Sequence, residues 1–159
     1  MTNKELEKNL KGLGKIMRSM RCRKNFDFTE LIEQIISLNL GPRDKMKAII
    51  CEHTKFVGKN AYILEIIFRD RSALPEKELE ALLREENTLA TEIQKIFQEG
   101  VSEGTFKNID PKVGTYLLLG ACNWLMFWYH PEGEIDIEKM SEIVSSLLAD
   151  GYLRNQKSF

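Results

Sequence analysis

Apolar residues recur at three- and four-residue spacing along most of the chain, and no stretch alternates apolar and polar positions as a half-buried strand would. Helix-start and helix-stop residues divide this pattern. Asp27, Asp110 and Asp136 are suited to N-caps, and prolines and glycines stand between the apolar stripes. We therefore predict an all-α fold, a helical bundle of about six helices joined by short loops.

The predicted helices differ in length and in how amphipathic they are. The longest runs from Pro75 to about Gly100 and sets an apolar stripe against a side rich in Glu and Lys. The pattern predicts a single all-α domain over residues 26–159, preceded by a basic segment, residues 1–25. The predicted helices begin at or near Asp27, Pro42, Tyr62, Pro75, Pro111 and Asp136.

The fifth predicted helix, residues 111–129, is apolar on every side. From Tyr116 to Tyr129 only Asn123 is strongly polar, and this run is shorter than the ~18–20 residues that span a bilayer. Such a helix needs cover all round, and a second copy of the chain is the readiest source of it. We predict a homodimer in which the last two helices, residues 111–129 and 137–150, form a four-helix interface. Its predicted residues are Gly114, Leu118, Ala121, Leu125, Met140, Val144 and Leu147.

The other side of the same helix carries aromatic and apolar residues with one amide, as the wall of a small-molecule pocket does. Aromatic residues from three other helices are candidates for the same pocket. The alternative is that all of them form ordinary core, which is common for aromatic residues at helical spacing. The candidate ligand-binding residues are Phe56, Phe68, Phe97, Tyr116, Leu119, Asn123 and Phe127.

Charge is distributed unevenly although the net charge is only −1. Residues 1–25 hold eight Lys or Arg and two Glu, whereas residues 26–159 hold 15 basic and 22 acidic residues. Basic residues at positions 8–24 recur at helical spacing, so this segment can contact phosphates weakly. The alternative is a solvated basic tail, because no aromatic residue is interleaved.

Catalytic and metal-binding patterns are absent from the sequence. The two histidines, His53 and His130, belong to no recognisable constellation and fit a satisfied core histidine and a helix C-terminus respectively. The three cysteines are scattered, which favours a reducing compartment, and Cys122 lies in an apolar run that keeps a thiol protonated. We expect a cytoplasmic protein with no enzymatic activity, no cofactor, no metal and no membrane span.

A family resemblance rests on three stretches in the C-terminal half. They are residues 98–106 (QEGVSEGTF), Asp110-Pro111, and residues 119–133 (LGACNWLMFWYHPEG), followed by one amphipathic helix. This order resembles the C-terminal regulatory domain of TetR-family transcriptional regulators, particularly the branch of lipid- and acyl-CoA-responsive repressors. Residues 41–47 are similar to the family's turn into the helix that precedes its pocket, and the similarity covers residues 27–153.

The resemblance implies an all-α domain that dimerises through its last two helices and encloses a hydrophobic or acyl-type effector. Family members begin with about fifty residues that contain a helix-turn-helix. The segment before Asp27 is shorter than that unit. We therefore expect nucleic-acid contact only weakly, through residues 8–24, or through a helix-turn-helix that this sequence lacks. The sequence leaves two alternatives open: a piece of a longer regulator, and a natural variant without a DNA-binding unit. A second hypothesis is a helical interaction module without a sensing role, which pairs with itself or with a full-length relative.

Overall fold

The structure, a computed structural model, describes residues 28–152. Six α-helices make up most of that range, and no β-strand occurs within it. The predicted basic segment of residues 1–25 and the predicted cap at Asp27 lie outside the described residues. The helices are α1 (Phe28–Ser37), α2 (Pro42–Lys59), α3 (Ala61–Arg69), α4 (Glu76–Ser102), α5 (Pro111–Asn123) and α6 (Ile137–Tyr152), with short 3₁₀ turns at Arg71–Ala73 and Trp124–Phe127.

The start signals predicted from the sequence act as expected. The Asp110 carboxylate accepts a hydrogen bond from the backbone N–H of Val113 at 2.9 Å, and Pro111 is the first residue of α5. Asp136 does the same for the backbone N–H of Lys139 at 2.7 Å, at the start of α6. Each cap satisfies a backbone donor that has no partner inside its helix. The all-α prediction is confirmed.

The fifth helix ends earlier than predicted. The α-helix stops at Asn123, and Trp124–Phe127 form a 3₁₀ turn instead of a continuation to Tyr129. The turn packs against α2 and α3, and this packing buries Leu125 and Met126. The local sequence carries no stop signal here, so tertiary packing overrides the helical preference of the segment.

Gly58 allows close packing near the end of α2, which stops one residue later at Lys59. A Cβ atom at Gly58 would collide with the side chain of Ile137 at the start of α6. A glycine at this position therefore allows α2 and α6 to approach each other.

Helix α2 lies at the centre of the bundle and packs most extensively along α6. Polar contacts fix the pairing: Ser145 Oγ donates to the carbonyl of Lys47 at 3.1 Å, and Lys55 Nζ lies 2.8 Å from a carboxylate oxygen of Glu138. The Glu138 contact raises the pKa of Lys55, because the carboxylate favours its charged form. In residues 28–152 no helix combines the length and the apolar character that crossing a membrane requires.

Candidate functional site

The inner side of α5 is closed by a phenylalanine from α4. Phe97 is fully buried, and its ring meets Phe106 edge to face at a centroid distance of 5.7 Å. A Cβ atom on Gly114 would stand 2.9 Å from the Phe97 ring, so the missing side chain of Gly114 is what admits this ring. Phe97 thus fills the space between α4 and α5, where the sequence predicted it to line a pocket.

Most of the predicted interface stripe faces the interior of the same chain. Gly114, Leu118 and Leu125 are buried within the single chain, as is Met140 on α6. This corrects the predicted interface: the space left by Gly114 is occupied by the Phe97 ring and not by a second copy. Four of the predicted interface residues line an open groove between α5 and α6: Ala121, Leu125, Val144 and Leu147.

A buried polar pair joins α2 to the end of α5. His53 Nε2–H donates to Asn123 Oδ1 at 2.9 Å, and the imidazole stacks with Phe56 at a centroid distance of 6.5 Å. Burial lowers the pKa of His53 to about 4, and the hydrogen bond with Asn123 opposes this shift. The histidine is therefore neutral near pH 7. Sequence reasoning predicted a satisfied core histidine but not its partner, because the two residues lie 70 positions apart.

Aromatic rings continue from this pair to the surface. Phe127 in the 3₁₀ turn meets Phe68 of α3 edge to face at 5.7 Å and Trp124 at 4.9 Å. Phe68 and Trp124 are more than half exposed, whereas Phe127 is half-buried. The three rings therefore form one contact chain from α3 to the outer side of α5.

The candidate ligand residues divide into three groups. Phe56, Phe68, Asn123 and Phe127 lie where α2, α3 and the 3₁₀ turn pack together, and we name this the His53–Asn123 site. Phe97 and Leu119 belong to the core between α4 and α5, and Tyr116 is exposed on the outer side of α5. The structure thus brings four of the seven predicted residues together, with His53 added.

The outer side of α5 is apolar and exposed in the single chain. Leu117 is 62% exposed, Trp124 63% and Leu147 of α6 70%. The adjoining groove has a volume of about 490 Å³ and is open to solvent. These positions follow one another at helical spacing and define what we call the α5–α6 face: Val113, Tyr116, Leu117, Gly120, Ala121, Trp124, Trp128, Ile143 and Leu147. Within one chain the helix is covered on one side only, and its burial on all sides by a second copy stays a prediction.

Metal-ligating groups are not assembled in the described part of the chain. Between residues 28 and 152 no cluster of His, Cys, Asp and Glu is placed to hold a metal ion. Burial raises the pKa of Cys122 to about 11, against a hydrogen bond from Thr54, so the thiol is protonated near neutral pH. The described residues therefore contain no metal site, and Cys122 is not a reactive thiol.

Comparison with known proteins decides the family. The sequence model of the family described as "Tetracyclin repressor-like, C-terminal domain" matches residues 39–152. The chain belongs to this family. It is therefore a TetR-type regulatory domain, as the resemblance of its C-terminal half indicated. No curated protein sequence matches it significantly.

Solved structures of TetR-family regulators share this fold. A TetR/AcrR-family transcriptional regulator from Thermobifida fusca is 27% identical, with a TM-score of 0.77 over 89% of this chain and 73% of its own. PfmR from Thermus thermophilus is 16% identical, with a TM-score of 0.74 over 89% and 75%. AibR, solved in complex with isovaleryl coenzyme A and operator DNA, is 16% identical, with a TM-score of 0.66 over 89% and 72%.

Proposed function

We propose that this TetR-type domain senses a hydrophobic or acyl-type effector and dimerises through its α5–α6 face. The observation that carries the proposal is that face, because α5 exposes Leu117 and Trp124 beside the open groove to α6. Regulators of this family are dimeric and respond to small molecules, and the proposal extends both properties to this chain. Its role is binding and not catalysis, its location is cytoplasmic, and its contribution to DNA contact stays a prediction.

Burial of the α5–α6 face supports dimerisation on energetic grounds. Each large apolar side chain that leaves water contributes about 1.5–3 kcal/mol. A two-fold axis beside α5 and α6 would bring the same exposed residues of both copies together, which doubles this gain. Small residues in the middle of the face, Gly120 and Ala121, leave room for close helix approach. A stable interface of standard size buries about 1,600 Å² in total.

The His53–Asn123 site supports an effector with an apolar body and few polar groups. The Phe56 ring stacks with His53 of the polar pair, and Phe127, four residues after Asn123, meets Phe68 edge to face. Apolar surface with few polar groups is the usual composition of a small-molecule site. The neutral imidazole and the amide can donate and accept hydrogen bonds but carry no charge. The AibR complex with isovaleryl coenzyme A supports acyl-coenzyme A compounds as the first ligands to test.

Thermal unfolding with isovaleryl coenzyme A, longer acyl-coenzyme A compounds and fatty acids tests this effector class. Ligand at about 100 times its dissociation constant adds about 2.7 kcal/mol to the free energy of unfolding, which raises the melting temperature by several degrees. Phe127→Ala should abolish the increase, whereas Tyr62→Ala, at an exposed position of α3, should retain it. Failure of every acyl compound to raise the melting temperature would contradict the proposed effector class.

The second candidate function is an interaction module without a sensing role. The observation that favours it is Phe97, which fills the space between α4 and α5 with the chain's own side chain. In that case the α5–α6 face would pair with a second copy or with a full-length relative, and no small molecule would bind. A dimer whose melting temperature no acyl compound changes would favour this module over the sensor.

A further inference from the structure

The 3₁₀ turn Trp124–Phe127 lies between the two surfaces that the proposed function uses. Asn123, which accepts the hydrogen bond from His53, directly precedes the turn. Phe127 contacts Phe68 on the side of the His53–Asn123 site, and Trp124 is exposed on the α5–α6 face. Trp124 and Phe127 also contact each other, with ring centroids 4.9 Å apart. One turn of backbone therefore carries residues of both surfaces.

The sequence of the turn is also compatible with a second conformation. No proline or glycine separates Asn123 from Tyr129, so the segment can also continue α5 as a regular α-helix. A 3₁₀-helix turns by about 120° per residue and rises about 2.0 Å, against about 100° and 1.5 Å in an α-helix. Over four residues the two forms differ by roughly 80° of rotation and 2 Å of length. Exchange between them would reorient Trp128 relative to α5.

Contacts on both sides of the turn would favour either its 3₁₀ form or its α-helical form. The edge-to-face contact between Phe127 and Phe68 holds the turn against α3, and it is partly solvent-exposed because Phe68 is 57% exposed. A ligand or a substitution at the His53–Asn123 site that disturbs this contact would change the conformation of the turn. A second copy that covers Trp124 and Trp128 would change it from the α5–α6 face.

We propose that the Trp124–Phe127 turn couples the His53–Asn123 site to the α5–α6 face, so that a change at Phe68 alters the affinity of dimerisation through Trp124. This inference rests on the proposed dimerisation. Coupling of this kind is reciprocal: whatever alters dimer affinity from the site is itself altered by dimerisation to the same degree. Phe68 and Phe127 act here as positioning residues of the interface.

A double-mutant cycle on the dimer dissociation constant tests the coupling without any ligand. The chains to compare by sedimentation are the wild type, Phe68→Ala, Trp124→Ala and the double variant. Tyr62→Ala is the matched control, because Tyr62 lies on the same helix as Phe68 and is 76% exposed. Intrinsic fluorescence gives a second readout, since the only two tryptophans of the chain, Trp124 and Trp128, lie in or directly after the turn.

The coupling predicts that Phe68→Ala changes the dissociation constant by about threefold or more, the size expected from one aromatic contact. Tryptophan emission should shift in the same variant. Tyr62→Ala should change neither, and in the Trp124→Ala background the effect of Phe68→Ala should disappear. A dimer of unchanged affinity in Phe68→Ala, or an effect that persists without Trp124, would overturn the coupling alone. A wild-type chain that stays monomeric would overturn the proposed dimerisation as well.

Discussion

Both sides of α5 are apolar, but in the single chain other residues cover only the inner side. On the inner side, Gly114, Leu118 and Cys122 pack against the core that Phe97 completes, and none is exposed. On the outer side, Tyr116 and Leu117 are more than half exposed in the single chain. An apolar helix side is stable where other residues cover it, and the outer side of α5 would have such cover only from the proposed second copy.

The largest expected loss of folding stability is on the inner side. Phe97→Ala removes a fully buried ring between α4 and α5, and should lower the free energy of unfolding by about 3–5 kcal/mol. Urea denaturation measures this, with Leu38→Ala as the control at a half-exposed position of the chain outside both sides of α5. A loss below about 1 kcal/mol for Phe97→Ala would show that the inner side is not tightly packed.

On the outer side, the corresponding change should affect assembly and not folding. Leu147→Glu places a charge on the α5–α6 face at a residue that is 70% exposed in one chain. We expect the dimer dissociation constant to rise by about 100-fold or more, because the buried carboxylate would have no partner. Sedimentation velocity detects the change, and Leu38→Glu should leave the dimer intact. Equal weakening by both variants would mean that the α5–α6 face is not the interface.

Substitutions at two glycines of α5, Gly114 and Gly120, should separate its inner and outer sides by smaller changes in stability. Gly114→Ala forces a methyl group against the buried Phe97 ring, which should outweigh the gain in helix propensity and cost about 1 kcal/mol. Gly120→Ala meets nothing within 4 Å in the single chain and should raise the free energy of unfolding by about 0.5–1 kcal/mol. Both are best measured in the monomeric Leu147→Glu background. Stabilisation by both substitutions would contradict the close contact with Phe97.

Below neutral pH, the buried His53 should make stability depend on protonation. Its pKa of about 4 in the folded chain lies below the value of about 6.5 in the unfolded chain. The unfolded chain therefore binds the proton first as the pH falls, and the stabilisation, complete above about pH 7, is lost progressively from about pH 6.5 to about pH 4.

Between pH 7 and 5.5 the free energy of unfolding should fall by about 1 kcal/mol through this residue. Urea denaturation at both pH values measures the change, with His53→Gln as the control because glutamine does not titrate. The wild type should lose more stability than the variant over this interval. Equal losses would show that His53 is not held neutral by burial.

Local signals account for most of the fold that the sequence predicted. Asp110, Asp136 and the prolines at positions 42 and 111 mark helix starts through caps and backbone geometry that depend only on neighbouring residues. The end of α5 at Asn123 was not predictable, because Phe127 leaves the helix to pack on Phe68 of another element.

The candidate site was predictable only in part. Helical spacing groups the residues of α5 correctly only in part, because it joins buried Gly114 and Leu118 with Ala121, which lies on the exposed α5–α6 face. It also does not say which side faces inward when both are apolar. The stripe through Gly114 and Leu118 was therefore predicted as an interface and is core instead. The hydrogen bond between His53 and Asn123 joins distant segments, and no local sequence pattern predicts such a contact.

Native mass spectrometry of the purified chain tests directly whether a second copy covers the α5–α6 face. We expect a species of twice the 18.4 kDa chain mass at micromolar concentration, reduced to single chains by Leu147→Glu. Additional mass on the dimer would identify a retained effector. A wild-type spectrum that contains only the 18.4 kDa chain would contradict the proposed dimer, because no second copy would then cover the apolar outer side of α5.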